Sequence, residues 1–295
     1  MCSAIRITAI HSSCRGPHAR LRVDASSEIG AGGVELAVAG LFAESELGRA
    51  PVVGATVDVG LGADHDAASV VAWLARHGRQ VFVRSPRPLA RGLVDALVEA
   101  GGGVVLPLGH VCPAIHRALV GQAEDPKSLL LGAQHLRARG VLTVAEIGPV
   151  FPGVHDRVGG IDALGRFLRS GAVERARLRF ADLRPQQLAA LREVHDAGGV
   201  MDLCRAFGVP ARALFDEARQ PNALRWQLGP RTVVALRSAC SRVLAAHGVE
   251  VSPCGCPGWC AWVTRRSHPV AVTSADLFAS AGPGSPQPAA SRVRC

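Results

Sequence analysis

Short apolar runs and longer amphipathic segments take turns along most of the chain, and glycines punctuate the joins. The clearest unit spans Gly102 to Asp156. Val104 to Leu108 reads as a strand. Asp125-Pro126 then opens a leucine-rich helix, with a carboxylate at the N-cap and a proline at the first helical position, where no N–H is needed. Gly140 closes that helix, and Val141 to Val150 follows as an apolar strand carrying one acid, Glu146, near its end. The turn Phe151-Pro152-Gly153-Val154-His155-Asp156 completes the unit.

The same order recurs on both sides. Pro51 to Val59, Gln80 to Ser85 and Arg175 to Ala181 read as strands. Ser69 to His77, Pro88 to Ala100, Gly160 to Ser170 and Pro185 to Ala197 read as helices, each stopped by glycine. Nearer the start, Ile5 to Ile10 is a first strand, His11 to His18 a loop with candidate ligands, Leu21 to Ala25 a short strand and Val34 to Phe42 a helix. Strands separated by amphipathic helices force parallel neighbours, hence a doubly wound sheet or a complete or partial barrel. At least five units occur in series without an early Gly-x-Gly-x-x-Gly turn, which favours a partial parallel (β/α) barrel. Residues 1–248 form that barrel, 249–262 a cysteine-rich loop and 263–295 a flexible tail.

Composition narrows the function classes. With 295 residues and 48% hydrophobic content the chain can bury a large core. Its apolar runs fall short of the roughly 18 to 20 residues that cross a bilayer, and Met1 to Ile10 lacks the apolar stretch of a secretory signal; a cytoplasmic protein is expected. The net charge of +9 invites nucleic acid, yet the arginines are spread through most of the helices and tyrosine is absent, so stacking platforms are poorly supplied.

In a barrel or an open parallel sheet the working residues sit at the C-terminal ends of the strands. That rule selects Thr56, Asp58, Arg84, Ser85, His110, Glu146 and Asp182. Glu146 stands out, because a lone carboxylate among apolar neighbours needs a partner or a ligand. It either orients a bound molecule or pairs with Arg84 or Arg179 to close the barrel. Arg175, Arg177 and Arg179 alternate with Ala176, Leu178 and Phe180, so one strand face is cationic. Arg177 and Arg179 then either point into the barrel mouth, where their donor forks suit a carboxylate or phosphate, or face water from an edge strand.

These segments together carry a resemblance. Gly54-Ala55-Thr56-Val57-Asp58, Val81 to Ser85, Ile115-His116-Arg117-Ala118-Leu119, Glu124-Asp125-Pro126 and Pro149-Val150-Phe151-Pro152-Gly153 with Asp156 are similar to the central part of the radical S-adenosylmethionine superfamily, in the flavour of its spore photoproduct lyase-like branch. The resemblance implies a [4Fe-4S] cluster, S-adenosylmethionine as cofactor, an electron donor as partner and an adenosyl radical that abstracts hydrogen from a substrate. It makes Thr56, Asp58, Arg84, Ser85, Glu146, Arg177 and Arg179 the expected cofactor-binding residues.

One departure is plain. The family holds its cluster with Cys-x3-Cys-x2-Cys after the first strand, three thiolates leaving one iron open. Here that spacing falls on Cys14, His18 and Leu21, and leucine ligates nothing. A second cysteine group, Cys254-Gly255-Cys256-Pro257-Gly258-Trp259-Cys260, follows an amphipathic helix over Arg231 to His247 and the short stretch Val249 to Val251. Its cysteines read as ligands of an iron–sulfur cluster, as ligands of a structural zinc completed by His268, or as free thiols. Cys240, on the apolar stripe of the preceding helix, reads as a core residue. The zinc alternative goes with a non-catalytic binding or scaffold protein descended from the same family.

Overall fold

A computed structural model describes residues 5–13, 16–24, 31–46, 53–121, 123–157, 160–210 and 224–252. The first strands are β1 (Ile5–Ser13) and β2 (Gly16–Val23), followed by helix α1 (Ala31–Glu46). Then come β3 (Gly54–Val59), α2 (Asp64–Arg76), β4 (Gln80–Arg84), α3 (Arg91–Glu99) and β5 (Gly103–Leu108). Two helices, α4 (Pro113–Val120) and α5 (Pro126–Ala138), lead to β6 (Leu142–Ile147). After α6 (Ile161–Ser170) and β7 (Arg175–Leu178) the chain forms α7 (Pro185–Val194), α8 (Ala197–Phe207), α9 (Pro230–Ala246) and the two-residue β8 (Glu250–Val251).

All eight strands join one sheet in the order of the chain, β1 through β8. Only β1 with β2 is antiparallel; each later neighbour pair is parallel. A strand order that never reverses means that each right-handed crossover carries its helix to the same face. The sheet is therefore wound one way, as in a barrel, rather than doubly wound about a switch point. Five segments expected to be parallel strands are parallel.

Alternation along the strands divides the two faces. Val57, Val83, Val104, Ala145, Ile147 and Ala176 point outward and are buried under Val70, Leu74, Leu97, Leu136, Leu168 and Leu244 of the helices. The inner face carries Thr56, Asp58, Phe82, Arg84, Val105, Val144, Glu146 and Arg177, which share the opposite parity. A second core lies beyond the strand ends, where Phe151, Val154, Leu188, Leu191, Leu203 and Phe207 join α7 and α8 to the turn after β6.

Three sequence expectations change. The described part of His11 to His18 is strand rather than ligand loop: β1 runs to Ser13 and β2 starts at Gly16, with His11 opposite His18 and Ser13 opposite Gly16. β2 is correspondingly longer than a strand from Leu21 would be. The helix expected over Pro185 to Ala197 ends at Val194, and a new helix begins at Ala197, where the Asp196 carboxylate accepts the Gly199 N–H at 2.8 Å. Gly198 and Gly199 thus sit in a first turn instead of closing a helix. A Cβ at Gly199 would collide with His195 and with the Gly153 carbonyl, so the close approach of α8 to the turn after β6 requires glycine there.

Candidate functional site

The inner face ends in a layer of charge at the C-terminal side of the strands. Asp58 on β3 accepts two hydrogen bonds from Arg20 on β2, at 2.5 and 3.1 Å, and one from Arg84 on β4 at 3.4 Å. Arg84 also bonds Glu146 Oε1 at 3.0 Å. Its rung on the sheet is that of Val105, two residues below the rung of Glu146, so the guanidinium reaches upward across β5 to meet the acid. Arg177, the register partner of Glu146 on β7, holds the other carboxylate oxygen. The result is a continuous chain from β2 to β7 through Arg20, Asp58, Arg84, Glu146 and Arg177.

Glu146 is 1% exposed. Burial alone would raise its carboxyl, but Arg177, Arg84 and Arg179 outweigh that penalty and hold it at about 2. Of its two expected roles, the ion pair that closes the barrel is therefore occupied. Arg177 and Arg179 turn to the inner face, since both reach Glu146 and the intervening Leu178 enters the outer core.

Arg179 is the cation left over. Its Nε is paired with Glu146 Oε1 at 3.4 Å yet is buried and completes no hydrogen bond among the described residues. Burial lowers its pKa first; Glu146 counters this, and Arg84, Arg177 and Arg20 add to the lowering. Its backbone is fixed on both sides, since Arg179 N–H donates to Ile147 O at 2.9 Å and Arg179 O accepts from Val150 N–H at 2.8 Å. Gly148 makes this possible: at φ 143° it adopts a conformation other residues avoid, and a Cβ there would strike the Arg179 carbonyl. Four guanidiniums, from Arg20, Arg84, Arg177 and Arg179, thus surround two carboxylates.

Other expected residues make contacts within the scaffold. Ser85 is fully buried; its Oγ donates to Arg87 O at 2.7 Å and accepts the Arg87 N–H, which fixes the turn after β4. Thr56 lies one inward position below Asp58, with its Oγ1 3.1 Å from His18 Nε2. His110 Nδ1 accepts the Cys112 N–H at 3.0 Å and so shapes the start of α4. Asp182 accepts from Gln227 Nε2 at 3.4 Å and forms no ion pair with the charged layer among the described residues. Arg20 was missed, because a strand begun at Leu21 excludes it; the alternation of Arg20 and Arg22 with Ala19, Leu21 and Val23 was the available signal.

A cavity of about 970 Å³ opens beside this layer, near the upper end of the range typical of small-molecule pockets. Asp58 and Arg84 reach it from the sheet, while His116, Arg117, Glu124 and Asp125 reach it from α4 and the start of α5.

The positions that would hold a [4Fe-4S] cluster do not fit one. His18 and Leu21 are three apart on a strand and therefore face opposite sides of the sheet: His18 turns inward to Thr56, and Leu21 is fully buried in the outer core. No group of three or more His, Cys, Asp or Glu side chains among the described residues is arranged to hold a metal ion. Cys254, Cys256 and Cys260, like Cys14 and His268, lie outside the described residues. Cys240 is in the core, its thiol pushed up to about 12 by burial and by Asp156. No helix among the described residues is long and apolar enough to cross a membrane.

The chain matches no protein-family profile and no curated protein. Among solved structures it is similar to a domain of pyruvate-formate lyase-activating enzyme from Bacteroides vulgatus, at 11% identity and a TM-score of 0.40, covering 64% of this chain and 89% of that one. It is also similar to Streptococcus suis SuiB bound to precursor peptide SuiA, at 10% identity and a TM-score of 0.46, covering 79% of this chain and 44% of that one. A third is the radical S-adenosylmethionine methyltransferase TsrM from Kitasatospora setae, at 13% identity and a TM-score of 0.42, with 74% of this chain and 46% of that one covered. The chain spans less than half the length of the latter two. Its place among partial parallel barrels rests on its own strand order rather than on these overlaps.

Proposed function

We propose that the chain binds a small anionic group in the mouth of the partial barrel, and that S-adenosylmethionine, named by the sequence resemblance, is the first molecule to try. The carrying observation is the excess of guanidinium over carboxylate in a largely buried layer, with Arg179 Nε completing no hydrogen bond among the described residues. A carboxylate at Arg179 would supply that acceptor and offset the cost of holding the cation out of water. Glu146 and Asp58 do not contact the ligand in this arrangement; they neutralise Arg20, Arg84 and Arg177 and hold them in place.

No step through a cluster at the N-terminal positions is derived, because the residues there do not fit one. The sequence offers Cys254, Cys256 and Cys260 instead, as ligands of an iron–sulfur cluster with radical chemistry and an electron donor, as ligands of zinc, or as free thiols.

Equilibrium binding of S-adenosylmethionine to the full chain tests the proposal. Saturable binding that weakens at least tenfold in Arg179→Ala is expected. Absence of binding by the folded protein, or equal binding by that variant, would remove it.

A further inference from the structure

The second core carries a cluster of histidines that the mouth does not use. Among the described residues, no apolar side chain of α4, α7 or α8 joins the core between the sheet and its helices; they pack on one another and on Phe151, Val154 and Trp226. These helices and the turn after β6 are therefore a layer of their own beyond the strand ends. Four histidines tie this layer together and to the sheet, each through the backbone. His116 Nδ1 accepts the Gly109 N–H at 3.0 Å and His155 Nε2 donates to the Gly109 carbonyl at 2.8 Å, so the residue that follows β5 is held on both sides. His155 Nδ1 accepts the Phe151 N–H at 3.1 Å, His110 Nδ1 accepts the Cys112 N–H at 3.0 Å, and His195 Nε2 donates to the Gly153 carbonyl at 2.7 Å.

Three of these rings share one requirement: Nδ1 must carry no proton. An imidazolium accepts no hydrogen bond, so a proton on Nδ1 of His110, His116 or His155 would stand against the N–H that the nitrogen now receives. For His155 the nearby Phe151 carbonyl, at 3.4 Å, already accepts the His155 backbone N–H at 3.0 Å. The rings are also buried and close together. His116 and His155 are fully buried, and His110 lies edge-on to His155 with ring centroids 6.3 Å apart, so two charges there would repel with little screening. The acids within reach are engaged: Asp156 accepts the Gly153 N–H at 2.7 Å, Asp125 caps α5, and Asp196, 3.6 Å from His195 Nδ1, caps α8 and pairs with Arg157 at 2.6 Å. Arg157 also pairs with Asp202 of α8, which holds Arg205 in turn. On α4, Arg117 adds positive charge beside His116, and the charged residues of α7, Arg184, Arg192 and Glu193, are exposed.

We infer that this layer is an acid-released latch on the sheet, closed while the three Nδ1 atoms are bare and opened when they take up protons, before the sheet itself unfolds. Burial, then the neighbouring histidines, hold His110 at about 3; burial holds His116 at about 4 and lowers His155 as well. In the open layer these rings protonate below about pH 6.5. Closure is thus fully favoured above that pH and weakens below it, the opening constant rising by up to about tenfold per pH unit for each histidine. Among the described residues the strands contribute only His18 to the buried histidines, so the sheet responds less. The released turn begins at Phe151, next to Val150, whose N–H holds the Arg179 carbonyl at 2.8 Å, so opening also frees the backbone of the mouth arginine. That last consequence rests on the mouth being a binding site; the opening does not.

Hydrogen exchange of the ligand-free full chain, followed by mass spectrometry at pH 7.5, 6.5 and 5.5 and corrected for the chemical exchange rate, tests it. Between pH 6.5 and 5.5, residues 113–120, 151–157 and 185–207 should lose protection together by at least about tenfold, while β3 to β6 keep theirs. Layer and sheet losing protection in step, or a layer whose protection ignores pH, would overturn the inference. Two variants read the histidines themselves. His110→Asn and His116→Asn each keep an amide oxygen for the backbone N–H and cannot take the proton, so each should make the response shallower by up to about tenfold per pH unit. His65→Asn, an exposed change on α2, should leave it as it is. Both buried variants responding as steeply as wild type would also overturn it, and if either fails to fold at pH 7.5 the wild-type comparison of layer with sheet decides alone. A layer that opens as expected in a chain that binds no S-adenosylmethionine at either pH supports the latch and removes only the mouth reading.

Discussion

Glu146 and Arg177 occupy the same rung of neighbouring parallel strands, and the guanidinium of one holds the carboxylate of the other inside the sheet's inner face. Removing the charge from Glu146 leaves Arg84 and Arg177 as poorly compensated, mostly buried cations. Glu146→Gln is therefore expected to cost about 3 kcal/mol of stability, read as a lowered urea midpoint. An unchanged midpoint would mean that the acid is dispensable to the fold.

Acid should weaken the protein in two stages. Burial, helped by the neighbouring histidines, lowers His110 to about 3, and burial lowers His116 to about 4, from 6.5; His155, fully buried, is lowered as well. The unfolded chain protonates these rings below about pH 6.5 while the folded chain does not, so stability falls with acid by about 1.4 kcal/mol per pH unit for each histidine. Glu146, held at about 2 against 4.5, adds stability that is complete above pH 4.5 and is lost as pH falls toward 2. Denaturation curves at pH 7.5, 6 and 5 should show the first decline well above the carboxylate range. A flat profile between 7.5 and 5 would contradict the neutral histidines.

Restoring the family's ligand spacing should not restore its metal. His18→Cys with Leu21→Cys places cysteines on opposite faces of β2, where the two cannot converge on one metal. The double variant is expected to take up no additional iron or sulfide on anaerobic reconstitution. Leu21→Ala alone should cost about 3 kcal/mol as a buried large-to-small change. A brown, iron-loaded double variant would show that β2 is not the strand described.

Metal analysis of the full chain addresses the C-terminal cysteines. One metal centre per chain, lost when Cys254, Cys256 and Cys260 are changed to serine and kept in Cys240→Ser, is the expected result. Iron with sulfide would mean a cluster, and zinc a structural site. Metal retained in the triple variant would disprove the assignment.

Most of the sheet was legible because each central strand is a dense apolar run bounded by glycine, and its parity decides which side chains face inward. Glu146 and Arg84 could be matched for the same reason: an acid inside an apolar strand needs a cation within reach. The hairpin was not legible, since His11 to His18 has no apolar alternation and its pairing is set by the partner strand. The wall of the cavity was hidden too. α4 has only eight residues, too few for a stripe to register, though Pro113 after Cys112 marks a helix start of the same kind that Pro126 marks.

The strand order also governs how the molecule can be built. From β2 onward each strand finds its partner in the strand made just before it; most closures span a single helix, β5 to β6 spans two, and only β7 to β8, with three helices between them, waits for a distant part of the chain. During synthesis the sheet can grow by accretion, each finished edge serving as the template for the next strand to emerge. The charged layer follows the same schedule. Arg20, Asp58 and Arg84 can meet early, but Glu146 and Arg177 arrive later, so the barrel mouth is locked only when β6 and β7 dock.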